Sequence, residues 1–144
     1  MAGRRIAGGG TIVLDCEGLS KLAAGDQRAR GYLDSAREKS ARVAVSAITL
    51  TEVLRGSSRD APVHRVLSRI TIAPVTEAIA RRAGELLGTT GLSGHRCAID
   101  AVVAATALEM ERPILLLTSD LDDLSKLVEE PECPKAARIV VIYV

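Results

Sequence analysis

PILLLTSD (residues 113–120) sets four aliphatic residues in a row, Ile114 to Leu117, before two hydroxyls and an acid. A strand with one wet face alternates apolar and polar residues, and this run does not alternate. It reads as a strand buried on both faces, the kind found in parallel sheets covered by helices. Working outward, TIVLD (11–15), RVAVSAI (42–48) and ARIVVIYV (137–144) have the same character. ITIAPV (70–75) reads as an edge strand, because Pro74 cannot donate to a ladder. Helical patterns fill the gaps. A brief turn covers 18–24, and a polar helix covers 26–39 with Ala29, Leu33 and Ala36 on one face. TLTEVLRG (49–56) is a short helix ended by Gly56. Further helices cover 62–68, 77–87, CAIDAVVAATALEM (97–110) and DDLSKLV (122–128). Strands alternating with helices predict an α/β domain with a parallel sheet and helices on both faces.

Composition narrows the class. The chain has 144 residues, enough for one domain, and 47% are hydrophobic, enough for a real core. Aromatics are 1%, Tyr32 and Tyr143 only, so that core is aliphatic. The formal net charge of +1 neither announces nor excludes a nucleic-acid partner, since local patches matter more than the sum. Three cysteines without a C-x-x-C pair argue against a disulfide framework or a structural zinc site. No apolar run reaches the roughly 18 residues of a membrane helix, and none resembles a signal peptide. The expected location is the cytoplasm. MAGRRIAGGG is read as a flexible leader over 1–10, followed by one domain over 11–144; AGGG lacks the Lys-Ser/Thr of a phosphate loop.

In parallel sheets, sites form beyond the carboxyl ends of the strands. The first strand ends in Asp15, and the second leads into Thr49-Leu50-Thr51-Glu52. The fourth ends in Thr118-Ser119-Asp120, with Asp122 and Asp123 behind it. Asp100 sits early in the helix before that fourth strand. Each acid has a plainer role available. Asp15 and Asp120 can cap the helices that follow, and Asp122 and Asp123 suit a first helical turn. Glu52 fits a capping box with Thr49. Asp100 fits least, because its neighbours are Ala98, Ile99, Ala101, Val102, Val103 and Ala104. Its one local counter-charge is Arg96, four residues earlier. Capping explains acids after strands, but not a fourth acid inside an apolar helix. A shared hard cation explains all four, since Mg²⁺ and Mn²⁺ prefer carboxylate oxygen.

These motifs, IVLD, SAITLTEVLRG, AIDAVVAATALE and PILLLTSDLDDL, resemble in order and spacing those of the PIN-domain ribonucleases, and most closely the VapC-type toxins of bacterial toxin–antitoxin pairs. The resemblance spans residues 11–144. It implies a PIN-like three-layer α/β/α sandwich with a five-stranded parallel sheet, and a Mg²⁺- or Mn²⁺-dependent endoribonuclease site. Residue by residue, Asp15, Glu52, Asp100 and Asp120 match the catalytic acids. These four and Asp122 match the metal-binding set. Thr118 or Ser119 matches an ordering hydroxyl. Two departures stand out. Cys16-Glu17 replaces the usual hydroxyl pair after the first acid, and Asp123 stands where the family usually has Phe, with Leu124 next to it. The resemblance also implies a second copy in a homodimer and a VapB-type antitoxin in a groove beside the site; the helices over 26–39 and 62–68 are the candidates for that groove.

The expected chemistry is hydrolysis of RNA by metal-activated water, leaving a 5′-phosphate, with Glu52 binding metal or orienting the water. Neither histidine is needed. Arg55 and Arg96 are candidate phosphate contacts. With two tyrosines, an extensive stacking platform is not expected, so RNA shape and backbone would dominate recognition. The alternatives are a non-catalytic PIN-like binding module, whose acids only cap helices, and a phosphotransferase with a nucleophilic Asp15. The latter lacks the second Asp of D-x-D, because Glu17 stands there.

Overall fold

The computed structural model describes residues 9–144; residues 1–8, most of the expected leader, lie outside the described residues. Five strands form one sheet: β1 (Thr11–Leu14), β2 (Arg42–Ser46), β3 (Thr71–Ala73), β4 (Ile114–Thr118) and β5 (Val140–Tyr143). The order is β3-β2-β1-β4-β5, and every pairing is parallel. Seven helices connect them: α1 (Cys16–Ala23), α2 (Gln27–Glu38), α3 (Leu50–Val53), α4 (Ala61–Leu67), α5 (Glu77–Thr90), α6 (Gly94–Leu108) and α7 (Leu121–Leu127). The expected α/β sandwich is what the chain forms.

Side chains along a strand alternate between faces, and here they feed two aliphatic cores. Val13, Ile114 and Leu116 pack with α5, α6 and α7 on one face. Ile12, Leu14, Val43, Val45 and Leu117 pack with α1, α2 and α4 on the other. Leu14, Leu19, Leu116, Leu117, Leu124 and Leu127 are fully buried. Burying one such side chain contributes about 1.5–3 kcal/mol. With no Phe or Trp, many small contacts replace a few large ones.

Several elements are shorter than their apolar runs. β2 stops at Ser46, whose hydroxyl accepts from Ile48 N–H at 3.3 Å and opens a 3-10 turn over Ala47–Thr49. The helix expected over 49–56 holds only for Leu50–Val53. Leu54 turns extended, and the Asp60 carboxylate takes the N–H groups of Arg55, Gly56 and Ser57 at 2.9, 2.8 and 3.4 Å. Those N–H bonds, that of Arg55 foremost, hold the Asp60 carboxyl below its ordinary value. The edge strand is short, as Pro74 dictates. α5 runs to Thr90 and ends on Gly91 in the left-handed region (φ 70°), where glycine carries no steric penalty.

α6 carries the acid in question. Ser93 caps it, accepting from Arg96 N–H, and Ala101 and Val103 to Ala107 are buried. No described helix is long and apolar enough to cross a membrane.

Candidate metal centre

The chain order changes direction between β1 and β4: α1 leaves β1 on one face, and α7 leaves β4 on the other. The crevice between their carboxyl ends is where such sheets place ligands. Asp15 and Asp120 stand on its two sides.

Asp15 is buried at 5% exposure and caps α1. One carboxylate oxygen accepts from Gly18 N–H at 2.8 Å, and the other accepts from the Thr118 hydroxyl. Gly18 is required for this approach, since a Cβ there would meet the Leu117 carbonyl oxygen at 2.8 Å. Burial pushes the Asp15 carboxyl above its ordinary value, and its two hydrogen bonds oppose that rise. The Thr118 hydroxyl also accepts from Asp120 N–H at 2.8 Å. Thr118 therefore ties the acid of β1 to the backbone of the acid after β4. Asp120 caps α7, taking the Asp123 N–H at 3.4 Å. The capping roles of Asp15 and Asp120 are real, and they aim the carboxylates rather than compete with a site.

Glu52 does not cap. Thr49 makes no side-chain cap bond, and its hydroxyl is buried without a partner, so the capping box read from the sequence does not form. Thr49 lies in helical backbone, following on from the 3-10 turn, and a capping side chain needs the extended backbone it lacks. Glu52 is left half-buried and turned to the acids: its charge acts on Asp100 and on Cys16. Burial, then Asp15 and Glu52, push the Cys16 thiol up to about 12, so it stays protonated.

Asp100 is pushed up to about 6, first by burial and then by Asp120, Asp15, Glu52 and Asp123. The ion pair with Arg96 does not form within 4.0 Å; among the described residues the ion pairs are Arg81–Glu77, Arg82–Glu85 and Arg112–Glu130. The crevice thus holds mutually repelling carboxylates with no counter-charge in contact. Its donor set is all carboxylate oxygen, which suits a hard divalent cation. Asp100, Asp120 and Asp123 each offer an oxygen, all within 4.8 Å of one another.

The expected residues divide as follows. Asp15, Glu52, Asp100, Asp120 and Thr118 converge. Asp122 is exposed and does not figure among the charges acting on Asp100, while Asp123, its neighbour, is half-buried and one of the trio. The reason is helical geometry. With Asp120 as N-cap, position three of α7 returns to the side of the cap and position two does not. The N-cap spacing in SDLDD carried that signal. Ser119 turns away from the crevice and donates to the Val144 carbonyl at 3.1 Å. Arg96 is exposed at the start of α6. Arg55 donates to the Thr51 and Leu54 carbonyls at 3.2 and 2.8 Å, closing the end of α3.

On the α1, α2 and α4 face, a cavity of about 300 Å³ opens. Its apolar lining is Leu22, Leu33, Val66 and Ile70, and Arg30, Arg37, Arg65 and Arg69 rim it. None of these arginines takes part in the ion pairs above.

Comparisons with known proteins agree with this fold. Residues 12–129 match the family model of the PIN domain. A Mycobacterium tuberculosis protein named Ribonuclease VapC10 is 34% identical over 99 residues, which cover 67% of this chain and 74% of that one. Among solved structures, VapBC2 from Rickettsia felis bound to a promoter DNA fragment superposes with a TM-score of 0.68 at 16% identity, over 93% of this chain and 98% of that one. A toxin–antitoxin complex from Klebsiella pneumoniae reaches 0.60 at 26% identity, over 79% and 90%. FitAB bound to an IR36 DNA fragment reaches 0.62 at 20% identity, over 92% and 94%.

Proposed function

The chain belongs to the PIN-domain family, and from that premise we propose that it is a metal-dependent endoribonuclease, the toxin of a toxin–antitoxin pair. One observation carries the reading: Asp100, an acid within an apolar helix, brings an oxygen within 4.8 Å of one each from Asp120 and Asp123 and feels the charges of Asp15 and Glu52, with no basic group in contact among the described residues. A carboxylate needed only for structure would have a partner. The similarity to Ribonuclease VapC10 supports RNA as the substrate. The similarity to toxin–antitoxin complexes supports an antitoxin partner.

Asp15, Asp100 and Asp120 hold Mg²⁺ or Mn²⁺. The cation, when bound, acidifies water and offsets charge developing on the scissile phosphate. Glu52 orients the attacking water and accepts its proton. Thr118 holds Asp15 and the Asp120 backbone in register, so the acids reach the phosphate as one unit. Arg96, exposed one turn before Asp100, contacts a flanking phosphate. Arg55 does the same once it leaves the α3 carbonyls. Cleavage leaves a 5′-phosphate and a 3′-hydroxyl. The enzyme works in the cytoplasm as a homodimer. The arginine-rimmed cavity between α2 and α4 receives a segment of the antitoxin.

The test is cleavage of total RNA with Mg²⁺, with EDTA, and by Asp100→Asn and Glu52→Gln variants. The expected result is no cleavage in EDTA and a loss of more than about a hundredfold in each variant, beyond what removal of an outer-shell partner causes. Persistence of cleavage in chelator would overturn the metal reading. A folded Glu52→Gln protein with unchanged behaviour would favour a non-catalytic module.

A further inference from the structure

The resemblance read from the sequence covers four acids of the crevice and leaves a fifth unexplained. Asp123 stands where the resemblance leads one to expect Phe, and an ordinary surface acid in a first helical turn would point to water. Asp123 does not. It is half-buried, and the Cys97 thiol, itself in the first turn of α6, donates to its Oδ2 at 3.7 Å. Its own N–H is bonded to the Asp120 carboxylate. No lysine or arginine lies within 4.0 Å of it among the described residues. Its oxygen, with one each from Asp100 and Asp120, forms a triangle no side of which exceeds 4.8 Å. Around one octahedral cation, ligand oxygens lie about 3 Å apart when adjacent and about 4.2 Å apart when opposed. The bound of 4.8 Å is close to the larger of these spacings.

We infer that Asp123 is a further protein ligand of the cation that Asp15, Asp100 and Asp120 hold, oriented by the thiol of Cys97. The inference rests on the metal-nuclease reading and adds to it a residue specific to this chain. The apolar contact expected from Phe is supplied next door by Leu124, which is fully buried. Position 123 is thereby free to carry a carboxylate. The cation gains an additional negative ligand on the α6–α7 side of the crevice and binds more tightly than the other carboxylates alone would hold it.

The experiment is a titration of the metal-free protein with Mn²⁺, followed by electron paramagnetic resonance and by the shift in melting temperature. Wild type, Asp123→Asn, Asp123→Glu, Asp122→Asn and Asp100→Asn are compared. Asp123→Asn is expected to weaken Mn²⁺ binding by at least about tenfold. Its melting temperature without metal should be no lower than that of wild type, because one repelling charge is gone. Asp123→Glu, which keeps the carboxylate, should fall between wild type and Asp123→Asn. Wild-type affinity in Asp123→Asn together with loss in Asp100→Asn overturns this inference alone. Weakening by Asp122→Asn in place of Asp123→Asn overturns it as well. Failure of the wild type to bind Mn²⁺ overturns it together with the metal reading beneath it.

Discussion

β4 has a charged group at each end, and the two ends are built on opposite principles. At the amino end, Arg112 donates to Glu130 at 2.7 Å and to the Ala137 carbonyl, tying the segment before β5 to the start of β4. Glu130 is mostly buried, and its charge is compensated. At the carboxyl end, Asp120 joins Asp15, Glu52, Asp100 and Asp123, and among the described residues no cationic side chain pairs with them. The same side-chain chemistry thus serves two purposes. Where a buried acid holds the fold, the chain provides its arginine. Where five acids gather without one among the described residues, we propose that a bound cation supplies the missing charge.

The comparison can be broken by removing one carboxylate at each end. Glu130→Gln leaves Arg112 without its counter-ion in a partly buried place. Stability should fall by about 2 kcal/mol, below the 3–5 kcal/mol of a fully buried pair, measured by urea unfolding. Asp100→Asn should do the reverse in metal-free protein. The Asp100 carboxyl is raised from its ordinary value of 3.8 to about 6 in the folded state. A raised acid favours folding fully below its unfolded value and loses that contribution as pH climbs through the folded one. Wild-type melting temperature should therefore fall between about pH 4 and pH 7 relative to Asp100→Asn. The variant should melt a few degrees higher at pH 7 and equally at pH 3. Equal curves at both pH values would show that the crevice acids do not repel. The smallest effect sharpens the contrast. Glu77 pairs with Arg81 on α5, with side chains 82% and 75% exposed. Glu77→Gln should change stability by no more than about 0.5 kcal/mol by the same unfolding measurement, because water already screens that pair.

Much of this was legible before any coordinates. Unbroken aliphatic runs announced strands buried on both faces. The acids after TIVL and LLLTS, and the one inside AIDAVVAA, marked one edge of one sheet. Three local readings turn on tertiary detail. Glu52 was readable as a capping partner of Thr49, yet the turn after β2 keeps Thr49 in helical backbone, where its hydroxyl cannot cap. Arg96 was readable as the partner of Asp100 by spacing alone. In the structure no such pair forms, because Arg96 faces solvent while Asp100 faces the crevice. Asp122 was the expected acid of α7, whereas Asp123 turns inward. Each of these depends on where one side chain points, which shifts by about 100° for each residue along a helix.

The sequence by itself determined the layers, the parallel sheet and the edge at which the acids gather. Hydrophobic period and strand-end chemistry are local, and they persist under small shifts of boundary. Which acids come close enough to share a cation, and which face water, follows only from the tertiary structure. The same holds for the arginines, none of which pairs with these acids among the described residues. Those outcomes depend on the packing of α6 and α7 across the crevice. That packing places Cys97 and Asp123, 26 residues apart in the chain, within hydrogen-bond reach.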